Sequence, residues 1–312
     1  MKHLFFDHST LLLVTVTLAM VTLPVLRADS RCPAGTASVT PRFVQHALIV
    51  IPVRINQEGP FDFMVDTGSQ VTVVDSSLAS ELNLKPQGTV GLVMVASYGR
   101  SSITVLDTLE ADSKVVEKSP AIVQDLGQIQ ATDPRIRGAL GESFLSHFDF
   151  MVDYRNKLFC LDETNAMRDS VGGERIRFVP PQPPEDELPS MERLVISVYL
   201  SGVGTKPILL QLDSGCDGPM LYPGSEQSGV QAMVHAAILR GGNATSAQRA
   251  FAVMPPQIMQ IGNRIFSHIS FVTPVLVPEN YPRQHEDGLL PTVLFQRVLI
   301  SGGGRYVVFD PK

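Results

Sequence analysis

The chain has 312 residues, a formal net charge of −6 and no Trp. An acidic chain without Trp offers no basic, aromatic surface, which argues against a nucleic-acid partner. Its many β-branched residues, together with 24 Gly and 23 Pro, predict a mainly β fold rich in turns. The length is sufficient for two domains.

The first 28 residues differ in character from the rest of the chain. Lys2 precedes Leu11–Leu26, a run without a charged residue, and Ala28 is a candidate cleavage position. This pattern is typical of an export signal, and it is on the short side for a spanning helix, which needs about 20 apolar residues. Residues 1–28 are therefore predicted to be a signal peptide, with an uncleaved N-terminal anchor as the alternative. Either route predicts an exported protein, periplasmic or secreted.

Two acidic triplets, Asp66-Thr67-Gly68 and Asp213-Ser214-Gly215, each follow a strand-like apolar run. Further downstream, residues of the first half match residues 150 positions later, among them Gly138 with Gly288 and Phe159 with Phe309. Each half ends in a predicted hairpin, preceded by a short helical turn. This parallel order predicts an internal repeat, in which two copies of one β-rich unit make up the chain.

The two predicted units span residues 38–165 and 189–312. Between them, residues 166–188 contain clustered Pro and acidic residues, which are typical of a semi-rigid linker. If a pseudo-twofold axis relates the units, Asp66 and Asp213 face each other. Two carboxyl groups in contact share a proton, so that one can act as a base toward water while the other polarises a carbonyl. A lone Asp-Thr-Gly, in contrast, is more often a simple turn.

With these motifs the sequence resembles the retropepsin-like aspartyl proteases, in a bacterial-type form with two fused lobes in one chain. The resemblance rests on Asp66-Thr67-Gly68-Ser69, Ala139-Leu140-Gly141 and Asp213-Ser214-Gly215, and it covers about residues 45–162 and 192–311. It implies two acid-protease β-barrel lobes related by a pseudo-twofold axis, with short helices after each Gly-containing stretch. The implied catalytic residues are Asp66 and Asp213, and the implied supporting residues are Thr67, Gly68, Ser69, Ser214, Gly215 and Gly141.

The resemblance also implies a β-hairpin flap from each lobe. In the first lobe the candidate is Val95–Ser102, with Tyr98 and Gly99 at its tip. In the second lobe it is Leu239–Ala247, which contains Gly241 and Gly242.

The three cysteines are Cys32, Cys160 and Cys216, and an odd count leaves at least one thiol unpaired in a monomer. Cys32–Cys160 is the favoured bridge, because Cys216 adjoins the second triplet, but other pairings stay open. No spacing of Cys and His fits a metal site, and the nucleophile of the implied reaction is water. We therefore predict neither a metal nor an organic cofactor.

Three residues of the second unit depart from the family pattern. Cys216 stands where the family usually has Ala or Ser, Asp217 adds a carboxylate, and Pro291 replaces the glycine equivalent to Gly141. The predicted function is a monomeric aspartic endopeptidase acting on a peptide or protein, with membrane contact only through an uncleaved N-terminal segment. The alternative is a non-catalytic peptide- or partner-binding protein on the same fold.

Overall fold

A computed structural model describes residues 31–94, 97–180, 193–202, 205–222, 238–241, 249–275 and 285–311. The predicted signal segment, residues 1–28, and the flap candidate Gly242 lie outside these ranges. Arg31–Lys312 forms one compact unit. Within the described ranges, no helix has the length and apolar character needed to span a membrane.

Strands dominate the first half of the chain, with four short helices. The strands are β1 (Ala37–Val39), β2 (Arg42–Val44), β3 (Leu48–Ile55), β4 (Glu58–Val65), β5 (Thr72–Asp75), β6 (Gly88–Met94), β7 (Ser97–Ala111), β8 (Lys114–Gln124), β9 (Ile136–Leu140), β10 (Asp149–Asp153) and β11 (Leu158–Asp162). The helices are α1 (Ser76–Glu81), α2 (Gly127–Gln130), α3 (Glu142–Leu145) and α4 (Ala166–Ser170).

The described part of the second half contains strands and one 3₁₀ helix, Thr292–Leu294. The prediction of a mainly β fold is confirmed, as are the short helical turns after the two Gly-containing stretches, which are α3 and this 3₁₀ helix. The strands are β12 (Ile176–Arg177), β13 (Val195–Leu200), β14 (Ile208–Asp213), β15 (Met220–Leu221), β16 (Ile238–Gly241), β17 (Arg249–Val253), β18 (Gln257–Ile261), β19 (Arg264–Ile269), β20 (Val272–Pro274), β21 (Gly288–Pro291), β22 (Arg297–Ser301) and β23 (Tyr306–Phe309).

The hairpin β3–β4 shows how the sequence sets the local structure. From Ile51 to Ile55, β3 alternates buried and exposed residues, the pattern of a strand with one face on the core. Its turn residues, Asn56 and Gln57, have φ values of 50° and 70°. Two successive left-handed residues match the right-handed twist of the flanking strands. The turn therefore fixes the register in which β4 runs toward Asp66.

The described strands form three sheets. Strands of the first half make a sheet in the order β2-β3-β4-β9-β5-β8-β7-β6, and strands of the second half make one in the order β16-β17-β20-β15-β21-β14-β13-β18-β19. In the first, β4 pairs in parallel with β9, β9 antiparallel with β5, and β5 in parallel with β8. In the second, β14 pairs in parallel with β21, β21 antiparallel with β15, and β15 in parallel with β20. The strand that leads to each Asp therefore has the same surroundings.

The third sheet contains strands of both halves, in the order β1-β11-β10-β22-β23-β12. At its centre β10 and β22 are antiparallel, with Phe150 opposite Ile300. Strand β12 and helix α4 belong to the predicted linker, and β12 pairs with β23. The beginning of the linker thus has regular structure of its own.

The core runs from one half of the chain to the other. Val65 and Leu212, which precede the two Asp residues, and Leu140 and Leu290, their partners on the neighbouring strands, are fully buried in the same apolar cluster. Each such side chain contributes roughly 1.5–3 kcal/mol when it is removed from water. The acidic loops are thus anchored in the apolar core.

A disulfide joins Cys32 to Cys160. It ties the segment before β1 to β11, whose Cys160 is fully buried. The favoured pairing is confirmed, and Cys216 is a free thiol.

Candidate active site

Asp66 and Asp213 each lie at the carboxyl end of a strand that is paired in parallel with a neighbour. Val65 lies opposite Leu140 of β9, and the backbone N–H of Asp66 donates to the Leu140 carbonyl at 3.0 Å. Asp213 itself lies opposite Pro291 of β21. Because each strand is held along its length, each carboxyl group leaves the sheet at a fixed place.

The hydroxyl residues that follow the two Asp residues interlock the loops. The Thr67 hydroxyl donates to the Leu212 carbonyl at 2.9 Å, and the Ser214 hydroxyl donates to the Val65 carbonyl at 2.8 Å. In turn, the Thr67 N–H donates to Ser214 Oγ at 3.1 Å and the Ser214 N–H donates to Thr67 Oγ1 at 3.0 Å. Both side chains are buried, at 0% and 2% exposed, so these four bonds are shielded from water. Each loop therefore positions the other.

The glycines of the two triplets let the loops approach closely. A Cβ on Gly68 would lie 2.7 Å from Cγ of Asp213, and a Cβ on Gly215 would lie 2.6 Å from Oδ1 of Asp66. Each carboxyl group thus sits against the glycine of the opposite loop, where any larger residue would displace it. The two carboxyl groups are close enough for each to affect the pKa of the other.

This environment favours the protonated form of the pair. Burial raises the pKa of Asp66, although hydrogen bonds from Ser69 and from the Gly68 N–H, at 3.0 Å, oppose the rise. Burial also raises the pKa of Asp213 well above its ordinary value, and the adjacent negative charge of Asp66 raises it further. Two contacting carboxyl groups with raised pKa values can hold one proton between them.

The fourth residue of each loop lies next to the Asp of the same loop. Ser69 bonds to the Asp66 carboxyl group, whereas the Cys216 thiol at the matching position donates to the backbone carbonyl of Asp213 at 3.6 Å and is close enough to its carboxyl group to lower its pKa. Burial raises the pKa of the Cys216 thiol, and the charge of Asp213 adds to the rise. The thiol therefore keeps its proton and acts as a weak donor where the first loop has a hydroxyl.

Gly141 supports the first loop from behind. Its N–H donates to Thr72 Oγ1 at 3.2 Å, and the next residue, Glu142, donates its N–H to the Ser69 carbonyl at 2.9 Å. At the equivalent position of the second loop, Pro291 has no N–H to donate. The two loops are therefore supported differently, as the sequence indicated.

Two contacts around the loops were not predicted from the sequence. Gln211 donates its side-chain amide to the carbonyls of Thr67 at 3.4 Å and Gly68 at 3.1 Å, which adds a link between the loops. The Tyr154 hydroxyl bonds to Thr292 Oγ1 at 2.6 Å. Burial raises the pKa of Tyr154 above its ordinary range, and Cys216 and Asp213 add to the rise, so the phenol lies close to the second loop. The period-2 pattern of the strands contains no signal for such contacts between distant segments.

The flap candidates lie on hairpins, but the predicted tip of the first one is wrong. Tyr98 and Gly99 lie within β7, opposite Val93 and Leu92 of β6, and residues 95–96 lie outside the described residues. The tyrosine is a good strand former, and its hydroxyl lies over Gly91 of the neighbouring strand. In the second candidate, Gly241 ends β16, and its partner across the hairpin is Arg249 of β17.

Among the residues that the structure describes, no group of three or more His, Cys, Asp or Glu side chains could hold a metal ion. The chemistry available at the two loops is thus that of two coupled carboxyl groups. They can exchange protons with each other and with a molecule bound between them.

Comparison with known proteins agrees with this chemistry. Residues 51–144 match the family model described as aspartyl protease. This segment contains Asp66 and Gly141 and ends within α3, so it covers most of the first unit and none of the second. No match was found among curated proteins.

Solved structures similar to the chain include two aspartic proteases. A retropepsin-like aspartic protease from Rickettsia conorii is 21% identical, with 41% of this chain and 89% of that chain covered and a TM-score of 0.31. An aspartic proteinase from Irpex lacteus is 9% identical, with 88% of this chain and 98% of that chain covered and a TM-score of 0.47.

The aspartyl proteases are peptidases, and therefore hydrolases. With the match over residues 51–144, the resemblance of this chain to the retropepsin-like aspartyl protease family is confirmed.

Proposed function

We propose that this chain is an aspartic endopeptidase, in which Asp66 and Asp213 form a catalytic pair between two lobes. The observation that carries the proposal is the close approach of the two acidic loops, in which each carboxyl group lies against the glycine of the opposite loop and Thr67 and Ser214 bond the loops reciprocally. A pair built this way shares one proton over a range of pH. Buried acids with raised pKa values are typical of catalytic sites, which supports the enzymatic role.

The proposed reaction uses one ionised and one protonated carboxyl group. The carboxylate removes a proton from a water molecule, whose oxygen attacks the carbonyl carbon of the scissile peptide bond. The protonated partner gives its proton to the carbonyl oxygen, which stabilises the tetrahedral intermediate. When the C–N bond breaks, the amine leaves with a proton from the first carboxyl group, and one hydroxyl of the intermediate returns its proton to the partner carboxylate as the C=O bond re-forms. The acid product keeps the water oxygen, and the pair ends with one proton, as it began.

The proposed lobes are residues 38–165 and 189–312, and the two flaps would close over an extended peptide. Support comes from the recurring strand pairings around β4 and β14. The proposed assembly is a monomer, because one chain supplies both Asp residues. A non-catalytic binding role remains the alternative outcome of the experiment below.

We also propose that the chain is exported, with residues 1–28 as its signal or anchor. The Cys32–Cys160 disulfide supports this, because disulfides form and persist mainly in oxidising compartments. Detection of the protein in periplasmic or culture fractions, with the bridge intact, would test the proposal. Recovery only from the cytoplasm would contradict it.

The catalytic proposal is tested by digesting a peptide library with the purified protein at several pH values. We expect cleavage by the wild type, and a loss of about a hundredfold or more in Asp66→Asn and in Asp213→Asn, because each removes a group needed for proton transfer. Asp107→Asn is the matched control, since Asp107 is exposed and pairs with Lys118 at the surface. Unchanged cleavage in both Asn variants would refute the assignment. Peptide binding without cleavage by the wild type would favour a binding role.

A further inference from the structure

A cavity of about 430 Å³ lies at the β12–β23 end of the third sheet, on elements other than those that carry the two acidic loops. It is bounded by α4, by the segment that includes β12, and by the turn between β22 and β23. Its lining residues are Arg168, Arg175, Arg177, Gly304 and Tyr306. Three of these five carry a positive charge and none carries a negative charge. A cavity of this size is large enough for a small organic molecule.

Only one of the three guanidinium groups is neutralised. Arg168 makes two hydrogen bonds to the buried carboxylate of Asp149, one of them at 2.9 Å from Nη2. Among the described residues, neither Arg175 nor Arg177 makes an ion pair. The carboxylate next to them in the chain, Glu174, is turned toward the backbone N–H of Asn263, at 3.1 Å and 3.2 Å. The cavity therefore has an excess of positive charge.

The lining is ordered in spite of this charge. The Arg175 guanidinium lies 4.8 Å from the centroid of the Tyr306 ring, and it donates to the Arg168 carbonyl at 3.2 Å. These contacts use one face and one N–H of the group and leave its other donors available. Arg177 lies on β12, and its strand neighbour on β23 is Tyr306. Arg175 is thus held against the Tyr306 ring, and both arginines line the same cavity.

Tyr306 provides an independent indication of a ligand. Its side chain is buried, with 6% of its surface exposed, and its hydroxyl has no hydrogen-bond partner in the described structure. The phenol is close enough to Arg168 to interact with it electrostatically, and Tyr306 is one of the residues that line the cavity. A buried hydroxyl without a partner is unfavourable, and a bound acceptor would relieve this cost.

We propose that this cavity binds a small oxyanion, a phosphate or a carboxylate, through Arg175, Arg177 and the Tyr306 hydroxyl. Guanidinium groups match the planar or tetrahedral oxygens of such anions with paired N–H donors, and the phenol supplies a further donor. Arg168, oriented by Asp149, adds its remaining N–H groups at the rim. The site is separate from the proposed catalytic pair, so binding does not depend on peptidase activity.

The test is calorimetric titration of the purified full chain with inorganic phosphate and, separately, with citrate, each at ionic strength matched with sodium chloride. We expect saturable binding of at least one of them, with a dissociation constant of about 1 mM, and the comparison of the two distinguishes phosphate from carboxylate ligands. Arg177→Gln should weaken this binding by about tenfold or more, because it removes charge-assisted hydrogen bonds. Arg155→Gln is the control, since it removes the same charge from an exposed position outside the cavity.

Tyr306→Phe separates a ligand role from a structural one. Without the hydroxyl, the ligand-free protein should be as stable as the wild type or more stable, because an unpartnered buried group has been removed. The same variant should bind the anion more weakly. The proposal would be overturned if neither anion gave saturable binding at matched ionic strength. Equal affinity in the wild type and either cavity variant would also overturn it.

Discussion

The two carboxyl groups of the site differ in the donor that the fourth residue of each loop provides. Ser69 offers a hydroxyl to Asp66, whereas Cys216 offers a thiol to Asp213. A thiol is the weaker donor, and it stabilises the ionised carboxylate less. This difference adds to burial and to the charge of Asp66 in favouring a proton on Asp213.

Replacing Cys216 by Ser should make the two loops more alike. A hydroxyl stabilises ionised Asp213 better, so its pKa should fall, and the high-pH limit of activity should move down by about half to one pH unit. The pH dependence of kcat measures this limit. Ser69→Ala is the mirror control, since it removes a donor from Asp66 and should leave the limit where it is or move it up. A high-pH limit that does not move in Cys216→Ser would contradict the role given to the thiol.

The raised pKa of Asp213 also predicts how stability depends on pH. Because the folded state holds this proton more tightly than the unfolded state, wild-type stability falls as pH rises from the ordinary pKa toward the raised one. Asp213→Asn lacks this loss. Its free energy of unfolding relative to wild type should therefore increase with pH, by up to about 1.4 kcal/mol per pH unit. Urea denaturation at about pH 5 and about pH 7 would measure the change. If the free energy of unfolding of Asp213→Asn differed from that of the wild type by the same amount at both pH values, this prediction would be wrong.

At the scale of structural elements, the reciprocal bonds of Thr67 and Ser214 hold the two loops together. Thr67→Val keeps the shape of the side chain but removes one donor and one acceptor. The Leu212 carbonyl and the Ser214 N–H then lose their partners in a buried place. We expect a loss of about 2–4 kcal/mol in the free energy of unfolding, measured by urea denaturation.

A matched control for this variant is Thr36→Val. The Thr36 hydroxyl also bonds a carbonyl, that of Pro33 at 2.8 Å, but it is only half-buried, so water can replace the lost partner. Thr36→Val should therefore lower the free energy of unfolding by about 1 kcal/mol or less. Equal losses of stability in Thr67→Val and Thr36→Val would show that the cross-loop bonds stabilise the fold no more than a partly exposed hydrogen bond does.

The elements around the site could be predicted from the sequence because they depend on short-range patterns. Alternating apolar residues and an Asn-Gln turn define β3 and β4, and the triplet that follows places Asp66 at the strand end. The tip of the first hairpin could not be placed, because Tyr98 and Gly99 are compatible with both a turn and a strand. Gln211 and Tyr154 act on segments far away along the chain, and such contacts exist only after the sheets have formed.

At the scale of the whole molecule, the register of β10 and β22 agrees with the offset of 150 seen in the sequence. Phe150 lies opposite Ile300, its own equivalent, and Asp149 lies opposite Ser301 while Met151 lies opposite Leu299. A strand that pairs with its own copy in this way lies across a twofold axis. The pairing supports the proposed repeat, although Pro291 and Cys216 differ from Gly141 and Ser69, the matching residues of the first loop.

The disulfide predicts how the whole molecule responds to reduction. Cys32 and Cys160 are 128 residues apart in the chain, so the bridge restricts a large part of the unfolded state. Cys32→Ser should lower the free energy of unfolding by about 2–5 kcal/mol and abolish its dependence on reductant. Cys216→Ser should keep the wild-type response, because that thiol is free. Urea denaturation of the two variants with and without dithiothreitol measures these responses. A reductant effect that persists in Cys32→Ser would contradict the stabilising role of the bridge.

The central claim is that Asp66 and Asp213 act as one proton-sharing pair. Titration of the side-chain carboxyl carbons by ¹³C NMR tests it directly, with Asp66→Asn and Asp213→Asn used to assign the two signals. We predict that both signals respond to the same protonation steps, and that one step lies well above the ordinary aspartate value of 3.8. Two independent titrations close to that ordinary value would contradict the claim.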